Sequence, residues 1–414
     1  MISTQYHRMA APVLSEPPTL SITELDRDPH GTYRLYRPQT PIILRDDGVY
    51  IAIRANDAVS LTNDPRTRQL ESDMMRLRGI TAGSMFNFAS NSMLLSNGEV
   101  HRRRRAPLSR PFAFRMIAAL RPRIRAVADE LIGKCYAKGE MNFIEDYAAL
   151  IPARTITDIL GIPEADIPSF TAWVYSFARS LSASFTSAEV PEIEDAGNNL
   201  ADYVTALLSE RRASPKNDFL TEYTKAVDEA GDLSPDEIVT QIVTVILAGS
   251  DTTRAAMAMQ VALLLQHREQ WAAVCQDKEL IPGAVLEGLR YEPSVGSFAR
   301  VTLEDIGIDG ITVPARKMLS LSTMAAMRDP AVYAQPDTFN IRRTDHPRWH
   351  AVFGGGAHRC LGEALAKAEL EEGLAALAAR LPHIELSGEP PQMRGHSGIR
   401  QISAMHVAWP RRLS

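Results

Sequence analysis

Phe353-Gly354-Gly355-Gly356-Ala357-His358-Arg359-Cys360-Leu361-Gly362 is the stretch on which the reading of this chain turns. Three consecutive glycines permit a tight turn and a close approach of the backbone to whatever lies against it. A cysteine follows, and helical periodicity then runs from Leu361 to Arg380, with Leu370, Leu374, Leu377 and Leu381 at steps of four, three and four. A thiol at a helix start meets the positive end of the dipole and unpaired N–H groups, both of which favour the thiolate. A thiolate held in this way is a ligand for heme iron, toward which it pushes electron density and so favours O–O cleavage. Two other readings compete. An arbitrary free cysteine is most often a small buried hydrophobe. A glycine-rich loop before a helix can also cradle phosphate, although here no Lys-Ser/Thr pair follows it.

The rest of the chain limits the choices. It has 414 residues, 45% of them hydrophobic, which is ample for a large core. A formal net charge of -5 argues against wholesale nucleic-acid binding. Cys135, Cys275 and Cys360 lie far apart, with no C-x-x-C spacing, as in a reduced cytosolic protein without a disulfide framework. Met1 to Pro18 has neither the apolar run of a signal peptide nor that of an anchor, and residues 1–20 read as a flexible tail. No stretch reaches the roughly 18 uninterrupted apolar residues of a spanning helix. Val239 to Leu265 comes closest, but Thr240, Asp251, Arg254 and others interrupt it. A cytoplasmic, soluble chain is expected.

Pro41–Leu44 and Val49–Ile53 are β-rich runs joined by Asp46-Asp47-Gly48, a hairpin signal. A second β-rich piece, Asp305–Val313, turns at Asp309-Gly310. Helical periodicity covers Pro122–Ala137, with the proline expected in the first turn, and also Ala196–Arg212 and Pro282–Tyr291. Ser234-Pro235-Asp236-Glu237 reads as a capping box that opens a helix running to about His267, on the order of 50 Å long. Its middle carries Ala248-Gly249-Ser250-Asp251-Thr252-Thr253. Glycine and small polar residues inside an otherwise apolar helix cost stability, and such local conflicts mark functional sites. The fold class that follows is mainly α (α+β): one helix-rich domain over 1–414 with small β-sheets near the N-terminus and in the last third.

Phe-Gly-x-Gly-x-His-x-Cys-x-Gly, matched at every fixed position by Phe353, Gly354, Gly356, His358, Cys360 and Gly362, resembles the heme-binding signature of the cytochrome P450 family. The resemblance extends from about Pro41 to Trp409. It implies heme b (iron protoporphyrin IX) as cofactor, with Cys360 as the metal ligand and Phe353, Gly354, His358 and Gly362 around it. Ala248 to Thr253 resembles the family's oxygen-activation segment. There Gly249 would leave room for O2, the Thr252 hydroxyl would donate to the oxygen being activated, and Asp251 would relay protons inward. Glu287-Gly288-Leu289-Arg290 resembles the structural Glu-x-x-Arg, with Arg343 as the third member of its triad. His101 and Arg105, in His101-Arg102-Arg103-Arg104-Arg105, resemble the pair that neutralises the heme propionates, with Arg300 and His358 as the other partners. Of the usual Asp-Pro-Pro-Glu-His run, only His101 is kept.

The family's substrate-facing positions fall on Thr244, Leu247, Ala248, Val295, Ser297 and Ile399, with Phe86, Phe88 and Trp173 in its variable loops. This mostly apolar set implies a small to medium apolar organic substrate. The expected activity is a monooxygenase of soluble bacterial type that inserts one atom of O2. Its electrons would come from a separate ferredoxin with its reductase, docking on a basic surface beside the Cys loop made by arginines of the 102–105 run. A peroxide-driven peroxygenase of the same fold and a heme-based binding or sensing protein are the alternatives. The Asp251/Thr252 pair argues against both.

Overall fold

The Asp46-Asp47-Gly48 turn forms as its composition requires, with Gly48 at φ +89°. The computed structural model describes residues 14–410 apart from 110–113, 182–184 and 349. β1 (Thr19–Leu20) runs parallel to β2 (Ile42–Arg45), which pairs antiparallel with β3 (Tyr50–Ala52), Ile43 opposite Ile51. Of the tail expected over 1–20, residues 1–13 lie outside the described residues, and Thr19–Leu20 is this first strand. β4 (Val295–Thr302), β5 (Met318–Ser322) and β6 (Gly398–Ile399) extend the main sheet in the order β1-β2-β3-β5-β4-β6, and the short strand Thr67–Arg68 pairs with β4 off this path. The N-terminal hairpin and the strands of the last third therefore share one sheet, through the parallel pairing of β3 and β5. Local periodicity carries no sign of such a long-range pairing. Ile306–Ile308 and Ile311–Val313 form the second expected hairpin, turning at Asp309 (φ +43°) and Gly310 (φ +85°).

The helices that matter for the site are α1 (Gly83–Asn91), α2 (Gly98–Ser109), α3 (Phe114–Tyr136), α4 (Leu150–Leu160), α5 (Ile167–Ala178), α6 (Val190–Ala213), α7 (Pro235–Gln266), α8 (Ile281–Tyr291) and α9 (Glu363–Arg380). α7 is the long helix, and its capping box is complete. The Glu237 amide donates to Ser234 Oγ at 3.2 Å and the Ser234 amide to the Glu237 carboxylate at 2.9 Å. It packs on α4, α5, α8 and α9 and lies in the principal core. Its polar middle stays helical, and the Ser250 and Thr252 hydroxyls are satisfied by bonding back to the carbonyls of Ile246 and Ala248, both at 2.8 Å.

Two boundaries differ from expectation. α3 begins at Phe114, so Pro122 lies inside it rather than in its first turn. Burial of Ile117, Ile124, Val127 and Leu131 in the shared core, with packing on α9, outweighs the lost backbone bond. Arg121 also pairs with Glu371 and, at 2.6 Å, with Glu372 of α9. α9 begins at Glu363 with Gly362 as its N-cap, so Cys360 and Leu361 precede the helix.

Candidate functional site

The Cys loop is shaped by close backbone approach. Gly354 and Gly356 have φ of +68° and +59°, and a Cβ on Gly356 would stand 1.6 Å from Asn63 Oδ1. The Cys360 amide donates to the Phe353 carbonyl at 2.8 Å and the Arg359 amide to Gly356 at 3.1 Å, closing the loop. Phe353 is buried, with the Lys367 ammonium 5.2 Å above its ring. The Cys360 side chain is accessible yet enclosed by protein, so it faces an internal space. Burial pushes its thiol up. The Gly362 amide, Arg105 and Arg359 pull the other way, while Glu363 adds to the rise. This corrects the expectation that a helix N-terminus secures the thiolate. The helix starts three residues later, at an acidic side chain, so a bound cation such as a metal must supply the missing stabilisation.

Around this loop lie cations without acids. The His101 ring nitrogens face the carbonyls of Met93 (2.9 Å) and Ala357 (3.0 Å), and its ring lies 3.8 Å from that of His358. Burial, with His101, Arg300 and Arg105 nearby, pushes His358 down to about 3. Arg105 donates to the Arg359 carbonyl at 2.7 Å, and burial lowers its pKa. Arg300 donates to Gln69 Oε1 and the Ala299 carbonyl, both at 3.0 Å, and burial alone lowers it to about 10. Among the described residues, no ion pair joins either guanidinium to a carboxylate. A buried and a half-buried guanidinium, flanked by imidazoles and lacking acids, are suited to a ligand that brings two carboxylates, as heme b does. The residues present therefore fit that group.

The four-arginine run divides. Arg103 and Arg104 bind Glu237 at the start of α7 at 2.6 and 2.9 Å, Arg102 pairs with Glu99, and Arg105 alone turns to the Cys loop. The basic surface expected from this run is thus reduced, because two of its members are tied to an acid inside the fold.

On α7, Ala248 is exposed and Thr252 partly so, although both lie mid-helix. At i and i+4 they share one face. Leu247 is buried. Thr244 is buried and bonds Thr240 O (2.7 Å) and Ser92 Oγ (2.8 Å), so it ties α7 to the end of α1. A Cβ on Gly249 would come within 3.1 Å of Ile156 Cδ1. Its missing side chain thus lets α4 pack closely at this point of α7. Asp251 is ion-paired with Arg254, whose guanidinium lies 5.1 Å over the Tyr175 ring. Sequence reading passed over both partners. The i, i+3 spacing could have found Arg254, whereas Tyr175 comes from another helix.

The sheet brings Val295 and Ile399 together as cross-strand partners, with Ser297 opposite Gly398. The buried Ser297 hydroxyl accepts from Ser320 at 2.7 Å. Ile399 also lines a cavity of about 380 Å³ with Tyr175, Asp251, Arg254 and Phe185. Phe88 is core, edge-on to Phe177 at 5.7 Å. Phe86 lies under Arg76 and Trp173 beside Tyr203. Arg400 is buried and bound to Glu292 at 2.6 Å. Glu287, wholly buried, holds Arg290 at 2.7 and 2.9 Å and Arg343 at 3.2 Å.

The sequence profile described as Cytochrome P450 matches residues 167–403. The plant-inducible Cytochrome P450-pinF1 of Rhizobium radiobacter is 44% identical over 95% of this chain and 93% of its own length. The chain belongs to the cytochrome P450 family. Mycinamicin IV hydroxylase/epoxidase of Micromonospora griseorubida is 34% identical over 75% of this chain and 77% of its own. The crystal structure of the myxobacterial P450 CYP267B1, in complex with myristic acid, superposes with TM-score 0.85 at 31% identity, covering 94% of this chain and 98% of that one. This P450 is accordingly a heme b enzyme that incorporates oxygen from O2 into an organic substrate. Among the described residues no helix is long and apolar enough to cross a membrane.

Proposed function

We propose that this P450 is a cytoplasmic monooxygenase that oxidises a small to medium apolar organic substrate with electrons from a separate ferredoxin and its reductase. The observation that carries the reading is the acid-free pair of half-buried Arg105 and buried Arg300 beside a cysteine loop shaped by glycine. Cys360 would hold the iron, and His101, Arg105, Arg300 and His358 the propionates. Phe353, Gly354 and Gly362 shape the loop around the thiolate. Bound heme supplies the metal at which O2 is activated. The chain's own part is to orient the substrate against Leu247, Ala248, Val295 and Ile399, to exclude water, and to pass protons from Asp251 to Thr252. The apolar side chains among these positions favour a hydrocarbon-rich substrate, and the neighbour that holds myristic acid is consistent with one. An acidic ferredoxin would dock on the Cys-loop side, where Arg359 lies and to which Arg105 turns. The ferrous–CO absorption spectrum tests the core of the reading. The red-shifted Soret band of a thiolate heme is expected. It should vanish in Cys360→Ser and persist in Cys135→Ser and Cys275→Ser. Its absence from the parent protein would overturn the assignment.

A further inference from the structure

Ile399 reaches the cavity of about 380 Å³ from a hairpin in which Met393–Arg394 pairs with Gln401–Ile402. Gln401 and Ile402 line the same cavity. In the loop between these strands, His396 and Arg400 are each only 3% exposed. Arg400 donates to the Gly395 carbonyl at 2.9 Å and to Glu292 at 2.6 Å, which fastens the loop on one side. His396 fastens it on another. Its Nδ1 lies 2.6 Å from Asp26 Oδ1, in the short helix Ile22–Arg27, and its Nε2 lies 3.2 Å from Nη1 of Arg45, the last residue of β2. A guanidinium only donates, so Nε2 accepts, and the ring proton sits on Nδ1 and goes to Asp26. The imidazole in this arrangement is neutral and of a single tautomer. Arg45 is held in turn by Asp47, Nε to Oδ1 at 2.7 Å. Backbone closes the remaining side: a Cβ on Gly296 of β4 would stand 2.8 Å from the His396 carbonyl.

We propose that His396 is a positioning residue for substrate selection: neutral, it locks the 395–400 loop between Asp26 and Arg45 and fixes Ile399 opposite Val295, and protonated, it frees Arg45 and lets this wall of the cavity move. The inference rests on the proposed substrate-facing role of Val295 and Ile399. Protonation turns Nε2 from acceptor into donor, so the bond to Arg45 is lost and two cations face each other in its place. The ring stays with Asp26, whose attraction grows, and parts from β2. Burial disfavours the charged ring most, Asp26 and Asp47 favour it and Arg45 opposes it, with the balance below the ordinary value of 6.5. Tyr33, which neighbours Asp26, Arg45 and Arg400, is pushed up to about 12 by burial and stays neutral. Arg400 is ion-paired with Glu292, which also faces His30 and Arg328, and Arg394 of the hairpin is exposed. The lock is therefore complete above the ordinary value of 6.5 and is lost as pH falls through the lowered one.

The holoenzyme and its His396→Gln and His396→Leu variants are compared at about pH 7.5 and about pH 5, on either side of an ordinary histidine. The probes are uncharged n-alkanols from hexanol to tetradecanol, which do not themselves titrate. The readouts are the low-to-high-spin shift of the heme, hydrogen exchange of 393–402 corrected for its intrinsic pH dependence, and heme per chain. In the parent, one chain length should be clearly preferred at the higher pH, and its dissociation constant should rise about fivefold at the lower, the worth of one hydrogen bond. Exchange in 393–402 should quicken at the same time. Glutamine can donate to Asp26 and accept from Arg45 without titrating, so His396→Gln should keep the preference at both pH values. His396→Leu should show the parent's low-pH behaviour at both, with heme per chain unchanged. A pH dependence that survives in His396→Gln, or exchange in the parent that is equal at the two pH values, overturns the lock. If exchange changes but alkanol selectivity does not, the role in substrate selection is overturned. If no alkanol shifts the spin state of the parent at either pH, the apolar-substrate reading fails, and exchange alone decides the lock.

Discussion

Glu369, nine residues beyond Cys360 on α9, is wholly enclosed, and burial pushes its carboxyl up to about 8. Hydrogen bonds from Thr155 and Thr253 pull the other way, and Oε1 has no partner. The folded state therefore binds this proton more tightly than the unfolded chain does. The stability it confers is complete below the ordinary value of 4.5 and declines as pH rises toward 8. Glu369→Gln keeps a neutral, hydrogen-bonding group and removes that decline. Its urea midpoint should match the parent at about pH 4 and exceed it at about pH 9 by an amount worth on the order of a few kcal/mol. Neither the buried glutamate nor Thr155 stood out in the sequence, and Thr253 did so only as part of the polar segment of the long helix, because one acid in a helix reads as a solvated side chain until tertiary packing encloses it. Cys360, in contrast, was legible from its loop alone, since the glycines there are required by backbone geometry.

At the level of elements, the start of α7 is fastened to α2 through a single carboxylate. Burial opposes the ionisation of Glu237, but Arg103, the Ser234 amide and Arg104 together hold it down at about 2. Its contribution is therefore present above 4.5 and lost as pH falls from there toward 2, a direction opposite to that of Glu369. Glu237→Gln should cost about 2 kcal/mol at neutral pH and flatten the acid limb of the stability profile. Because α2 carries His101 and Arg105, the same variant should also retain heme less well, as measured by heme per chain after gel filtration. Within the Glu287–Arg290–Arg343 triad, Arg290 is fully buried. Glu287→Ala strands that charge and should cost about 3–5 kcal/mol, seen as a fallen thermal midpoint and low heme content. The capping box and the Glu-x-x-Arg spacing were readable from residues three apart. Their cross-element partners Arg103, Arg104 and Arg343 lie tens to more than a hundred residues away, and only Arg343 was reached, through family resemblance.

For the whole molecule, the uncompensated cations make cofactor and fold interdependent. Removing heme leaves half-buried Arg105 and buried Arg300 without carboxylates, beside two imidazoles. Their desolvation should loosen α2 and the Cys loop first. The heme-free protein should melt at a lower temperature than the loaded one. Hydrogen exchange should quicken in α2 and around 353–362, while the cores of α3, α7 and α9, packed in the principal core, stay protected. Uniform acceleration across all helices would contradict this view.

The sequence by itself determined the helix-rich class, the capped long helix, both hairpins and the cysteine loop. Each is written in residues a few positions apart, where backbone geometry, capping and periodicity act. Tertiary structure alone decided that the two β regions join into one sheet, that Pro122 stays inside a helix, and that α9 begins after Cys360. It also decided that Gly249 lies close against Ile156 and that Arg254 pairs with Asp251 beneath the Tyr175 ring. Those outcomes depend on burial and charge among groups distant in the chain, and such energies exist only once the fold has brought the groups together.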